Sequence, residues 1–243
     1  MGIKIFIDEG HNFSGADTGA IGYGLREQDI TYIVGSKLGK LLENNGIEIK
    51  HSRTALSANV GDGTLSSSIS KRYKMANDWK ADYFISLHCD ATPSSKARGS
   101  HICVYSLKGN AQKMAQAINP HLLGIGLEGR SVLISERNDL GVLKNTNMPA
   151  ILIEMGFITN EHNSNLMKNN PDKLAEAICS GICEFLKIKR NKPEKEYVST
   201  TDAIDILVKK GIINEPDKWY NGTWNDTDFK WLLRKVGTYL NEH

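Results

Sequence analysis

The 243-residue sequence predicts an α/β protein. The expected architecture is a mostly parallel twisted sheet with helices on both faces, followed by a small, mainly helical C-terminal domain. Three observations carry this. The runs IKIFID, YFISLHC and AILIEMG are apolar almost throughout, as strands buried on both faces are. Segments with helical periodicity separate them, the alternation that builds a parallel sheet. After Leu186 the composition turns charged, and a short aromatic-rich stretch follows.

The elements follow in order. IKIFID (3–8) is the first buried strand. From Glu27 to Leu42, Ile30, Ile33, Val34, Leu38, Leu41 and Leu42 make one helical face, with Gly46 as a stop. EIKHSR is a second strand, and ISKRYKMANDW (Ile69–Trp79) a helix led by a loop through Ser66–Ser68. YFISLHC and HICVYS are strands, the second followed by a helix from Gly109 through Met114 and Ile118. AILIEMG is a further strand, and Pro171 opens a helix through Leu174, Ile178, Ile182 and Leu186. The domains are expected at 1–188, with a linker over 189–197 and a second unit over 198–243. That unit begins with a helix, TTDAIDILVKKG, and carries Trp219, Trp224 and Trp231, each a candidate either for its core or for ligand contact.

Bulk properties exclude several classes. A net charge of +2, without a basic cluster interleaved with aromatics, argues against nucleic acid as a partner. No segment approaches the roughly 20 apolar residues of a membrane span. The start MGIKIFIDEGH lacks a signal-peptide core, so the expectation is synthesis in the cytoplasm and action elsewhere only after release. Cys89, Cys103, Cys179 and Cys183 lack metal-site spacing and read as buried free thiols. On a strand, Cys89 points away from His88.

Chemistry concentrates in four residues: His11 in DEGHNFSG, Glu27 in GLREQD, His88 in SLHCDA and Glu154 in ILIEMGF. His11, His88 and Glu154 fall at or just past strand ends, where parallel sheets place their ligands. Glu27 opens the first helix. Glu154 interrupts an apolar run, where an ionisable group is costly unless paired or useful. Two imidazoles and one carboxylate make a zinc site with an open position, and a second carboxylate beside it can move protons. Asp8, Glu9 and Asp17 are candidates for orienting His11, with solvated loop charge as the equal alternative. His51, His101, His121 and His162 read as satisfied or surface histidines.

The motifs DEGHNFSG, ADTGAIG, GLREQD, SRT, RYKMAN, SLHCDA and PAILIEMGFITN, in that order over residues 3–188, resemble the zinc-dependent N-acetylmuramoyl-L-alanine amidases of the third amidase class. The resemblance implies peptidoglycan hydrolysis at the amide between N-acetylmuramic acid and L-alanine. It implies Zn2+ held by His11, Glu27 and His88, with Glu154 as the catalytic glutamate; the division between the two glutamates rests on it alone. Arg72 and Asn77 match a pair that is mainly structural. Two departures stand out: Glu9 occupies the position of a proline, and Asp90 that of an asparagine-type residue.

The stretch DAIDILVKKGIINEPDKW resembles small modules appended to clostridial and phage amidases. It implies cell-wall carbohydrate as a second partner, or a homodimer formed through this unit. A phage endolysin is the favoured type. A host autolysin or sporulation amidase, a non-catalytic wall-binding protein and a zinc hydrolase of another amide are the alternatives.

Overall fold

Strand β1 (Lys4–Glu9) shows how the core is divided. Ile5 and Ile7 enter one hydrophobic cluster and Phe6 another, because successive side chains leave a strand on opposite faces. Strand β5 (Tyr83–Asp90) repeats the pattern, with Ile85 and Leu87 on one side and Phe84 on the other. So does β8 (Ala150–Phe157), with Ile151 and Ile153 against Leu152. The structure, a computed structural model, describes residues 2–191 and 200–242.

Between β1 and β5 the chain forms the short hairpin β2 (Ile21–Gly22) and β3 (Leu25–Arg26), helix α1 (Glu27–Glu43), β4 (Glu48–His51) and α2 (Leu65–Asp78). Next come β6 (His101–Val104), α3 (Gly109–Leu123), β7 (Ile134–Glu136) and α4 (Gly141–Lys144) before β8. Helices α5 (Glu161–Asn169) and α6 (Pro171–Leu186) complete this unit. The six-stranded sheet runs β4-β1-β5-β8-β6-β7. Its pairs are parallel except β6 with β8. The larger cluster is closed by α1, α3 and α6 through Val34, Leu38, Ile118, Ile178 and Ile182. The smaller one is closed by α2 and α4 through Ala76, Val142 and Leu143. Each fully buried valine, leucine or isoleucine side chain contributes about 1.5–3 kcal/mol.

The expected α/β class and mostly parallel sheet are found. Ser66–Ser68 differ from expectation: they form the first turn of α2, not a loop. Thr64 is the reason, since its hydroxyl accepts from the Ser67 amide and caps the helix four residues earlier than the apolar pattern begins. All four cysteines are free and buried. Cys89 joins the larger cluster, on the face away from His88.

The chain divides into two units, Met1–Lys192 and Pro193–His243. The expected linker over 189–197 lies, from residue 192 onward, outside the described residues. The second unit holds α7 (Thr200–Lys209), α8 (Pro216–Tyr220) and α9 (Asp226–Glu242). Its core is Ile204, Ile212, Ile213 and Trp219. Trp219 is thus a core residue, while Trp224 and Trp231 are 45% and 41% exposed. Among the described residues, no helix is long and apolar enough to cross a membrane.

Beneath the sheet edge, Arg72 of α2 is buried and pairs with Asp8 at 2.7 Å. Burial alone would raise the Asp8 pKa. The Arg72 charge and the bonds from Arg72 and Ser86 outweigh it and hold the carboxyl below its ordinary value. A depressed folded pKa stabilises the protein above the unfolded value, near 3.9, and the gain is lost as pH falls through the folded one. Asp8→Asn should therefore cost about 3–5 kcal/mol at neutral pH. In urea titrations the gap between variant and parent should close below about pH 4; a gap independent of pH would contradict this account.

Candidate metal centre and active site

Three parallel strands bring the site together. His11 lies two residues beyond β1, while His88 and Glu154 sit inside β5 and β8. His88 and Glu154 are register partners, side by side across adjacent strands. Glu27 is the first residue of α1. Its Oε1 lies 3.2 Å from His11 Nε2 and 3.1 Å from His88 Nδ1. One ligand atom from each of these three residues falls within 4.8 Å of the others.

The arrangement is tight. A Cβ on Gly10 would sit 2.5 Å from His88 Nε2, so only glycine admits the imidazole. A Cβ on Gly19 would sit 2.7 Å from Glu27 Oε2. The sharp turn after Gly10 is made by His11 itself, with φ of 67° in the left-handed region. Arg72 holds that turn by donating to the carbonyls of Glu9 and His11.

Each donor is oriented by a neighbour. His11 Nδ1–H donates to Asp17 Oδ1 at 3.0 Å, which leaves Nε2 facing Glu27. Asp17 in turn accepts from the Ser68 hydroxyl. Glu27 Oε1 accepts from the Cys89 amide and Oε2 from the Ala20 amide, both at 2.9 Å. Burial alone would lower the His11 pKa. Its bonds to Asp17 and Glu27 reverse that and raise it to about 9. Burial would likewise raise Glu27, yet the two histidines hold it below its ordinary value. The cluster thus attracts positive charge at His11 Nε2, a proton or a metal ion in competition.

Glu154 differs from Glu27. Its Oε2 is buried without a hydrogen-bond partner. Burial pushes its pKa up to about 7, with Glu27 and Asp90 adding to the rise and His88 and Arg130 opposing it. The group is poised to take and give a proton near neutrality. The donor set, its preorganisation and this orphaned oxygen fit a divalent cation with a proton carrier beside it.

Sequence reasoning missed two neighbours. His101 is Glu154's register partner on the other side, because β6 runs antiparallel and starts where the other strands end. It bonds the Val132 carbonyl and Ser135. Arg130 pairs with Asp90 and stacks over Phe157 at 4.2 Å. Asp90 was visible as a departure, but its partner lies 40 residues away with no local signal. Glu9 is fully buried: it accepts from His51, Ser52 and the Arg53 amide. It orients the strand end rather than His11.

The α/β sheet and this His–Glu–His cluster, which could hold a metal ion, point to a hydrolase. Residues 5–184 match the N-acetylmuramoyl-L-alanine amidase family, and the chain belongs to it. The endolysin of Bacillus phage SPP1 is 29% identical over 248 residues, covering 97% of this chain and 85% of that protein. The germination-specific N-acetylmuramoyl-L-alanine amidase of Bacillus subtilis (strain 168) is 29% identical over 198 residues, 78% of this chain and 82% of its own. Among solved structures, the CwlD amidase from Clostridioides difficile, in complex with the GerS lipoprotein, matches with a TM-score of 0.70 at 26% identity. The match covers 76% of this chain and 99% of that one. An N-acetylmuramoyl-L-alanine amidase from Clostridium difficile 630 matches at 0.66 and 30% identity, over 76% and 97%. The protein is accordingly a peptidoglycan amidase.

Asp17→Ala removes the acceptor that fixes the His11 ring. It should weaken divalent-metal affinity about 10–100-fold, measured by competition with a chelating dye; unchanged affinity would dismiss Asp17 as the orienting group.

Proposed function

We propose that the chain uses zinc, held by His11, Glu27 and His88, to hydrolyse the amide joining the lactyl group of N-acetylmuramic acid to L-alanine. The observation that carries this reading is the unpartnered Glu154 Oε2 beside a preorganised His–Glu–His set. Zinc bound there supplies Lewis acidity, polarising the scissile carbonyl and acidifying water. The imidazoles of His11 and His88 offer neutral lone pairs, and Glu27 one carboxylate oxygen. Glu154 accepts a proton from the attacking water and returns it to the alanine nitrogen as the C–N bond breaks. The products are a lactyl carboxylate and a free alanine amine.

The division of labour follows the expected boundaries, with a catalytic domain over 1–188 and wall recognition by 198–243. A phage-type lytic enzyme, made in the cytoplasm and reaching the wall after release, is favoured over a host autolysin. The support is that the phage endolysin aligns over 97% of the chain, whereas the germination amidase aligns over 78%. A contact between two copies is the second reading for the C-terminal unit. Phe229, Leu233 and Leu240 favour it, since all are exposed on α9 at spacings that share one face. A monomer in sedimentation equilibrium would remove it.

Glu154→Gln should retain zinc and lower hydrolysis at least about 10²–10⁴-fold, whereas His88→Ala should lose the metal too. Digested peptidoglycan should gain alanine N-termini without new reducing ends. New reducing ends, or a fully active Glu154→Gln enzyme, would overturn the assignment.

A further inference from the structure

The C-terminal unit contains a cavity of about 290 Å³ between α8 and α9 that no catalytic role absorbs. That volume is near the lower end of the roughly 300–1,000 Å³ of small-molecule sites. Its apolar lining comes from Trp219, the core indole, and from Trp231, which is 41% exposed. Its polar lining comes from Asn214, Glu215 and Thr227 and from the Lys218–Asp228 ion pair. Trp219 is held in place by stacking on Trp224, with ring centroids 6.0 Å apart. Lys235 lies over the Trp231 ring, 5.7 Å from its centroid.

Charge selects the ligand class. The charged lining residues are Glu215, Asp228 and Lys218, so the site offers a polyanion no net attraction. An isolated cation gains little either, because Asp228 is already neutralised by Lys218. A concave wall of indole facing amide, hydroxyl and carboxylate groups suits a neutral ligand with one apolar face and a rim of hydroxyls. A pyranose ring has that shape: its C–H face packs on indole while its hydroxyls bond to Asn214, Glu215 and Thr227.

We propose that this cavity is a binding site for one neutral sugar ring of the wall glycan. The proposal rests on the reading of the C-terminal unit as a wall-recognition domain and locates the contact within it. The test uses the full chain, Trp231→Ala, Asn214→Ala and a chain ending at residue 192. Each is measured by co-sedimentation with purified sacculi stripped of anionic polymers, and by titration with soluble tri-N-acetylglucosamine read from tryptophan emission. Both point variants should weaken sacculus binding about tenfold or more, with turnover of a soluble muramoyl peptide unchanged. Asn214→Ala retains every indole, so loss of its emission change on titration reports the site and not a missing fluorophore. If both point variants bind as the parent does while the truncated chain does not, the cavity is not the site and wall recognition lies elsewhere in the unit. If the truncated chain still binds as the parent does, the wall-recognition reading itself fails.

Discussion

One buried guanidinium organises the catalytic edge. Arg72 leaves α2, crosses under the end of β1 and bonds Asp8, Asn12 and the carbonyls of Glu9 and His11. A charge in that position is tolerated only when paired and saturated with acceptors. What those acceptors share is the segment that must carry His11 through a left-handed turn, a conformation costing a non-glycine residue of order 1–3 kcal/mol. Without the guanidinium, that turn has no reason to persist, and the His11 ring loses its position over Glu27. The geometry of the candidate metal site is thus paid for one layer below His11, Glu27 and His88.

The two glutamates show how environment separates the proton affinity of chemically identical groups. Glu27 is surrounded by donors: two backbone amides and two histidines. Those donors and charges outweigh burial and favour the anion. Glu154 stands in a strand among apolar neighbours, with one oxygen unmet. Everything near that oxygen disfavours the anion except the His88 and Arg130 charges. A carboxylate that is to hold a cation must remain charged, and one that is to carry a proton must be able to change charge; the surroundings of Glu27 suit the first and those of Glu154 the second.

Much of this was legible in the sequence, for physical reasons. The parallel strands announce themselves as continuous apolar runs because both faces are covered, and Glu154 stands out against one of them. Strand-end placement then brings His11 and His88 to the same edge. What stayed hidden was relational. Thr64 extends α2 by a single capping bond, which no apolar periodicity reports. His101 reaches the edge only because β6 is reversed, and strand direction leaves no mark on composition. Glu9 looked like a loop charge or a helper for His11, yet it belongs to a buried network with His51, Ser52 and Arg53 formed through pairing of β1 with β4.

The reversal of β6 has an architectural consequence. From β1 to β4, β4 to β5 and β6 to β7, successive strands run the same way, and a helix carries the chain back to the starting edge. From Asp90 to His101 the chain needs no return: it leaves and re-enters on the catalytic side, crossing the width of β8. Residues inserted into that stretch would lengthen a surface loop beside the reacting groups without disturbing either hydrophobic cluster. Loop closure penalises such growth by only about 0.6 kcal/mol per doubling of length. The scaffold therefore offers one place where substrate preference can diverge among descendants while the chemistry beneath is inherited intact.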